Sequence, residues 1–303
     1  MSTHTIVGAG QVGTRLAHLL LARGYTVRLL SRTGNGPQGL QADASDLASL
    51  RSAASGSDVI YNCLNPRYHR WPVGLAADGR QPACVRGSRG GSAGDLEQPV
   101  RVRPGHGRDD RTDADGCGHT VKGGVRARMW QQALAAHDEG RIRTVEVRAS
   151  DYIGEGGGQV MFGERVVPNV RAGKTVRVLG AADQPHTWTY TGDVATTLAG
   201  VATDESTWGR AWHVPSNAPR TQTEVVGDLA AALGLPAPRV RPLPATLVRI
   251  AGLFNPEIRE MREMLYEFDR PFVMDSSAAQ TELGLKPTPW DEVIEETLRR
   301  NPA

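Results

Sequence analysis

Thr5-Ile6-Val7 runs directly into Gly8-Ala9-Gly10-Gln11-Val12-Gly13, and the chain continues to Arg23 with Leu16, Ala17, Leu19 and Leu20 on one helical face. An apolar strand, a glycine turn and an amphipathic helix leave few folds open to the rest of the chain. The next apolar run, Val27-Arg28-Leu29-Leu30-Ser31-Arg32, returns parallel to the first strand and completes a βαβ unit. The glycines of Gly-x-Gly-x-x-Gly have separate tasks in a dinucleotide-binding turn. Gly8 makes the tight turn, Gly10 lets the backbone approach a pyrophosphate, and Gly13 lets the helix pack close to the strand. Gln11 and Val12 open the helix, whose N-terminus presents N–H groups and the positive end of its dipole to phosphate. The fold class implied is α/β, a Rossmann-type doubly wound parallel sheet.

The end of the second strand bears on the cofactor. An NAD site usually places Asp or Glu there to accept from the ribose 2′-hydroxyl, whereas this chain has Ser31 and Arg32, a hydroxyl and a guanidinium suited to a 2′-phosphate. NADP is therefore expected, with NAD as the alternative if Arg32 is only a solvated strand-end charge.

Composition sets looser limits. The chain has 303 residues, enough for a nucleotide domain and a smaller lobe. Met1 to His4 leads straight into the first strand, and no apolar run approaches the ~20 residues of a membrane span. Cys63, Cys84 and Cys117 lack metal-type spacing and cannot all pair, which fits a reducing compartment. A cytoplasmic protein with no membrane contact is expected.

From Ala76 to Thr120 there is a single leucine, Leu96, and no Ile, Met, Phe, Trp or Tyr, while Arg, Gly, Pro and Asp crowd the stretch. No core strand or helix can be built from such residues. Yet Ser57 to Cys63 reads as the fourth strand and Ile142 to Arg148 as the sixth, so the helix and strand due between them are missing. Residues 79–124 hold eight basic and six acidic side chains, leaving 27 of each elsewhere in a chain with 35 and 33. A nucleic-acid surface is thus unsupported outside this stretch. Within it, Arg86-Gly87-Ser88-Arg89-Gly90-Gly91 lacks interleaved aromatics to stack on bases. No nucleic-acid partner is expected, and the oligomeric state is left open.

Several ordered motifs flank the gap. They are Gly8-x-Gly10-x-x-Gly13, Gln41-Ala42-Asp43-Ala44-Ser45-Asp46, Asp58 to Pro66, Arg148-Ala149-Ser150-Asp151-Tyr152-Ile153-Gly154, Gly173 to Gly180, and Thr187-Trp188-Thr189-Tyr190-Thr191-Gly192-Asp193-Val194-Ala195. Together they resemble the NAD-dependent epimerase/dehydratase family, among the extended and atypical short-chain dehydrogenases/reductases, over about residues 3–73 and 122–300. The resemblance implies a Rossmann domain over residues 1–150 and a small C-terminal α+β substrate lobe over 151–303, with 186–203 returning to the Rossmann domain. It also implies that Asp43, Asn62 and Asn65 join the cofactor site and that Asp151 and Tyr152 join the substrate site. Tyr68, His69 and Trp71, with Arg70, either line the substrate mouth or belong to a surface loop.

Such proteins carry a strand in the gap that ends in a Ser-rich segment, often followed by Tyr-Gly, with the catalytic serine. In the shifted frame, taking two bases of each codon with the first of the next, Gly94 to Pro104 can encode Ala-Thr-Ser-Ser-Asn-Leu-Tyr-Gly-Tyr-Gly-Pro. Val73 onward can encode Ser-Asp-Trp-Pro-Pro-Met-Ala-Ala-Ser-Leu-Leu-Ala. Two bases of every shifted codon are fixed and the free middle base permits this run, so a frameshift near Val73, compensated near Val121, is the expected origin of residues 74–121. One central helix-strand unit is then expected to be missing or disordered.

The short-chain mechanism that the resemblance implies uses a Tyr as general acid, a Lys four residues later and a Ser that orients the carbonyl. Lys122 stands at the place of that Lys, but the position four before it is Gly118. Two readings stay open: an oxidoreductase or epimerase acting on a small carbonyl or sugar-like substrate with impaired activity, or a catalytically silent NADP-binding regulator. A third is a damaged product that folds poorly.

Further elements are expected as helices over Gly124 to His137, Gly163 to Ala172 and from Thr221 to Leu233, with a capping box at Thr221 and Glu224. Strands are expected at Thr175 to Leu179 and Trp212 to Val214. Asp193 is placed as a helix N-terminal cap for Val194 to Val201, His213 as a packed rather than catalytic residue, and Leu235 to Pro244 as a linker.

Overall fold

The computed structural model describes residues 1–64, 121–154, 160–244, 253 and 267–301, with residues 121–125 described as backbone only. Strand β1 (Thr3–Val7), helix α1 (Gln11–Ala22) and strand β2 (Thr26–Ser31) form the expected βαβ unit. Ile6 lies opposite Leu29 and Val7 opposite Leu30 in a parallel ladder. His4 to Val7 are all buried, as expected of a parallel strand covered on both faces.

Strand β3 (Gly39–Gln41) adds to the outer side of β2. Helix α2 (Leu47–Ala54) starts at Asp46, whose side chain accepts from Ala48 N at 2.9 Å. Strand β4 (Val59–Asn62) then pairs with the other side of β1, giving the all-parallel order β3-β2-β1-β4. The strand order reverses at β1, and in such sheets the crevice beyond the carboxyl ends at the reversal is where ligands bind.

Helix α3 (Val121–Asp138) buries Met129, Ala133 and Ala136 and leads to β5 (Glu146–Arg148) and β6 (Asp151–Ile153). The helix expected from Gly163 is the shorter α4 (Val167–Arg171), preceded by turns, with Pro168 in its first turn. Strands β7 (Val176–Val178) and β8 (Trp188–Tyr190) come next, then α5 (Thr191–Val201), β9 (Ala211–His213) and α6 (Gln222–Ala232). The supposed linker contains a strand, β10 (Val240–Pro242), and α7 (Ser277–Glu282) and α8 (Trp290–Arg300) complete the described elements. The pairs β5-β9, β6-β8 and β7-β10 are parallel.

Two main cores result. In the first, α1 and α5 pack together, and Ile6, Leu16, Leu29, Val59 and Tyr61 share one apolar cluster with Val147, Leu198 and Trp212. That cluster joins the four-stranded sheet to β5 and β9. In the second, Phe162, Val170, Val176 and Trp188 meet Val226, Leu229, Val293 and Leu298. Each fully buried side chain of this size contributes about 1.5–3 kcal/mol before conformational entropy is subtracted.

The capping box forms as expected: Thr221 Oγ1 accepts from Glu224 N at 3.1 Å, and Thr221 N donates to Glu224 Oε2 at 2.7 Å. Asp193 does not cap. Helix α5 begins two residues earlier, after Tyr190, and the Asp193 carboxylate accepts instead from Thr288 N (2.9 Å) and Thr288 Oγ1 (2.6 Å). Among the described residues β4 pairs only with β1, and β5 only with β9. The segment 74–120, where the missing unit was expected, lies outside the described residues.

Candidate functional site

The glycine turn is pinned from both sides. Gly8 N donates to Leu30 O at 2.9 Å, and Cys63 N donates to Val7 O at 2.9 Å, so β2 and β4 fix the end of β1. Gly8 has φ +112°, a region L side chains rarely adopt, and a Cβ there would lie 2.8 Å from the Cys63 carbonyl oxygen. A Cβ at Gly13 would stand 1.9 Å from the Gly8 carbonyl oxygen, so only hydrogen fits between helix and turn.

Gly10 differs. Among the described residues a Cβ built there would meet nothing within 4 Å beyond its chain neighbours, so their packing does not require a glycine at this position. The open backbone face is what the approach of an external phosphate needs. The first amide bonded within α1 is Thr14 N, which donates to Gly10 O at 2.9 Å, and α1 has no acidic residue in its first turn. The N–H groups of Gln11, Val12 and Gly13 precede that bond, at the positive end of the dipole. The residues present therefore fit a dinucleotide pyrophosphate.

At the same carboxyl edge, Ser31 ends β2 and its carbonyl accepts from Ala42 N at 2.9 Å, with Arg32 exposed beyond it. Asp43 Oδ1 accepts from Ser45 N at 2.9 Å and Ser45 Oγ at 2.7 Å. These two bonds, and after them the Arg32 charge, hold the Asp43 carboxyl below its ordinary range. Asn62 ends β4, is buried, and its Oδ1 accepts from Leu64 N at 3.1 Å, which turns the chain as it leaves the sheet. Burial pushes the neighbouring Cys63 thiol up to about 12, so it is no nucleophile near neutral pH.

The structure thus brings Gly8, Gly10, Gln11, Val12, Gly13 and Asn62 to one end of β1 and β4, with Ser31, Arg32 and Asp43 at the ends of the adjoining strands. Asp151 and Tyr152 belong to β6, which pairs with β8 and not with this sheet. Asp151 Oδ2 lies 2.9 Å from His186 Nε2, and Tyr152 is buried in the first core. Lys122 stands on the first turn of α3. Asn65, Tyr68, His69 and Trp71 lie outside the described residues, as does Gly118.

Two constellations had no signal in the sequence. His186 is buried and stacked on Trp188, Phe268 and Phe272 with ring centroids 4.2, 5.1 and 5.1 Å away. Arg15, one turn beyond Gln11, donates to the Tyr190 hydroxyl at 2.9 Å and pairs with Glu296. A cavity of about 290 Å³ beside it is lined by Tyr190, Asp193, Thr196 and Thr288, but Arg15 and Asp193 already have these partners within the chain. Among the described residues no group of three His, Cys, Asp or Glu is placed to hold a metal, and no helix is long and apolar enough to cross a membrane.

No protein-family model matches the sequence, and no curated protein matches it. Solved structures do match. MoeE5 in complex with UDP-glucuronic acid and NAD is 17% identical with a TM-score of 0.70, over 97% of each chain. The UDP-glucuronic acid 4-epimerase of Bacillus cereus in complex with NAD is 14% identical with a TM-score of 0.69, over 97% of this chain and 96% of that one. The dTDP-glucose 4,6-dehydratase of Bacillus anthracis str. Ames, also in complex with NAD, is 14% identical with a TM-score of 0.68, over 99% and 96%. The likeness agrees with the motif series: the chain has the Rossmann-type fold of the NAD-dependent epimerase/dehydratase enzymes.

Proposed function

We propose that this protein binds NADP at the Gly8 to Gly13 turn and acts as an oxidoreductase or epimerase of the epimerase/dehydratase type on a small carbonyl or sugar-like substrate. The observation that carries the reading is the pairing of an open Gly10 with packed Gly8 and Gly13. Two of the glycines serve the fold, and the third serves a ligand. Arg32 beyond β2, with Ser31 and no acid at that strand end, supports a 2′-phosphate. The UDP-glucuronic acid bound to MoeE5 supports the substrate class.

In this reading the amides of Gln11, Val12 and Gly13 hold the pyrophosphate, and the Ser31 hydroxyl and Arg32 guanidinium receive the 2′-phosphate. Asn62 fixes the exit of β4 beside the nicotinamide ribose, and Asn65, which lies outside the described residues, is assigned to the same part of the site by the family resemblance. The bound cofactor supplies hydride acceptance and return. Lys122 would orient the ribose from the start of α3, and Asp151 and Tyr152 belong to the substrate lobe. Residues 1–150 with 186–203 form the cofactor half, and the rest of 151–303 the substrate half.

Gly118, four residues before Lys122, favours a second reading, a catalytically silent NADP-binding regulator, because the general-acid Tyr is absent there. Titration calorimetry of the full chain with NADP and NAD, then stereospecific hydride transfer to a panel of carbonyls and nucleotide sugars, separates these. Binding with turnover supports the enzyme and binding without turnover supports the regulator. Failure to bind either dinucleotide removes both.

A further inference from the structure

The loop between β2 and β3 holds Asn35-Gly36, and none of the other asparagines, Asn62, Asn65, Asn169, Asn217, Asn255 and Asn301, precedes a glycine. The fold demands that glycine. Gly36 has φ +108°, and a Cβ there would lie 2.7 Å from Leu29 Cδ2. Its carbonyl accepts from Gly39 N at 3.1 Å, and Leu29 N donates to Gln38 O at 3.1 Å, so the loop is tied back to both strands. Asn35 and Gly36 are nonetheless exposed, and among the described residues neither the Asn35 side chain nor the Gly36 amide takes part in a hydrogen bond. An exposed carboxamide therefore stands next to a backbone N–H that nothing engages and no side chain shields.

We propose that Asn35 is a site of spontaneous deamidation, whose product places a carboxylate three residues beyond Arg32. The Gly36 amide nitrogen gives up its proton and attacks Asn35 Cγ. The new N–C bond closes a succinimide ring as the Cγ–Nδ2 bond breaks, and the amide leaves with that proton as ammonia. Water then adds to either ring carbonyl and opens the ring, giving aspartate or, where the main chain is rerouted through the side chain, isoaspartate. No oxidant, reductant or cofactor takes part. Resting on the cofactor reading above, the new charge opposes a 2′-phosphate held by Arg32, whereas the 2′-hydroxyl of NAD carries no charge to oppose. Three residues of chain span at most about 11 Å, close to the Debye length of about 10 Å at 0.1 M salt. The carboxylate thus acts through solvent, and its effect is modest and weakens with salt.

The test ages the full chain at neutral and at alkaline pH and then cuts it with trypsin. The fragment from Thr33 to Arg51 carries Asn35 as its one asparagine. Peptide mass spectrometry should find Asn35 converted ahead of every other asparagine, faster at alkaline pH, with isoaspartate as the mark of the ring intermediate. Asn35→Gln, whose longer side chain closes a ring far less readily, should stay intact. No conversion at Asn35 in the folded protein, conversion no faster than at the other asparagines, or aspartate without isoaspartate overturns the modification site. Titration calorimetry of Asn35→Asp, which carries the charge of the product, should show NADP affinity lowered about two- to fourfold at low salt, with the loss closing at high salt and NAD affinity unchanged. Equal NADP affinity in Asn35→Asp and the parent overturns the charge effect. A parent chain that binds neither dinucleotide overturns the cofactor reading and leaves the modification site standing.

Discussion

Arg15 Nη2 lies 2.7 Å from Glu296 Oε1, joining the first helix to the last across 281 positions. The same guanidinium bonds the Tyr190 hydroxyl and lies over its ring at 5.1 Å from the centroid. Glu296 also accepts from Arg300 Nε at 3.1 Å and pairs with Arg299. One buried carboxylate thus balances three cations. Helix α1, which carries the glycine turn, is thereby tied to α8, whose Val293, Ile294 and Leu298 close the second core.

Replacing Glu296 should therefore cost more than an ordinary surface ion pair. Its side chain is 8% exposed and that of Arg15 19%, so removing the carboxylate takes a close counter-charge from a mostly buried guanidinium. Glu296→Ala should lose about 2–3 kcal/mol and Glu296→Gln about 1–2 kcal/mol, since glutamine keeps an acceptor. Urea unfolding measures both. A double-mutant cycle with Arg15→Ala should show coupling on the order of 1 kcal/mol, and additivity would mean the pair is incidental.

The three glycines of the turn should separate folding from binding. Gly13→Ala forces a methyl against the Gly8 carbonyl and should unfold or strongly destabilise the protein. Gly10→Ala meets no atom within 4 Å among the described residues beyond its chain neighbours, so its stability should fall by less than about 1 kcal/mol, the cost of a poorer N-cap. Its affinity for NADP should nonetheless drop at least about tenfold, because the methyl occupies the phosphate's approach. Melting curves with and without cofactor read both effects. A Gly10→Ala protein that binds as tightly as its parent would place the ligand elsewhere.

Locally coded features were legible in the sequence, and features made by distant partners were not. The βαβ unit and the Thr221 capping box are set by residues a few positions apart, and both form as expected. Strands β6, β8 and β10 have three residues each, too few for a periodic pattern, and β10 is defined by pairing with β7 across the whole of β8 to α6. The cap expected of Asp193 fails for the same reason, since the partner that decides its role, Thr288, is 95 positions away. The nucleotide half of the candidate site was readable because a glycine turn is a local solution to a steric problem. The setting of Asp151 was not, because His186, itself stacked on Phe268 and Phe272, reaches it only through the fold.

Asp193 gives a pH signature. Burial raises its carboxyl pKa, outweighing the Thr288 bonds and the Arg15 charge that act in the other direction. A carboxyl raised in the folded state binds its proton more tightly there than in the unfolded chain. Its contribution to stability is present below the unfolded value, near 3.8, and is lost as the pH rises through the higher folded value. Asn mimics the protonated form and can both donate to and accept from Thr288. Asp193→Asn should be the more stable protein at neutral pH, with its advantage vanishing on acidification towards the unfolded value. Denaturant midpoints across that range check this, and an advantage that grows on acidification would reverse the assignment.

The last expectation concerns residues 74–121. The described strands β4 and β5 contribute Val59, Tyr61 and Val147 to one core, with Val145 beside them, yet β4 pairs only with β1 and β5 only with β9 among the described residues. The present sequence offers a single leucine between Ala76 and Thr120, whereas the shifted frame offers an apolar helix and a strand ending in serines. Restoring that frame between Val73 and Val121 should raise stability by several kcal/mol, since each Leu-sized side chain buried contributes ~1.5 to 3 kcal/mol before entropy. NADP should raise the melting temperature further in the restored protein, because a ligand that binds only the folded state stabilises it by mass action. Sequencing the coding DNA and comparing the melting of the two proteins with and without NADP tests both steps. A restored protein that melts no higher and binds no better would make the Arg- and Gly-rich segment a native part of this chain, and the frameshift reading would fall.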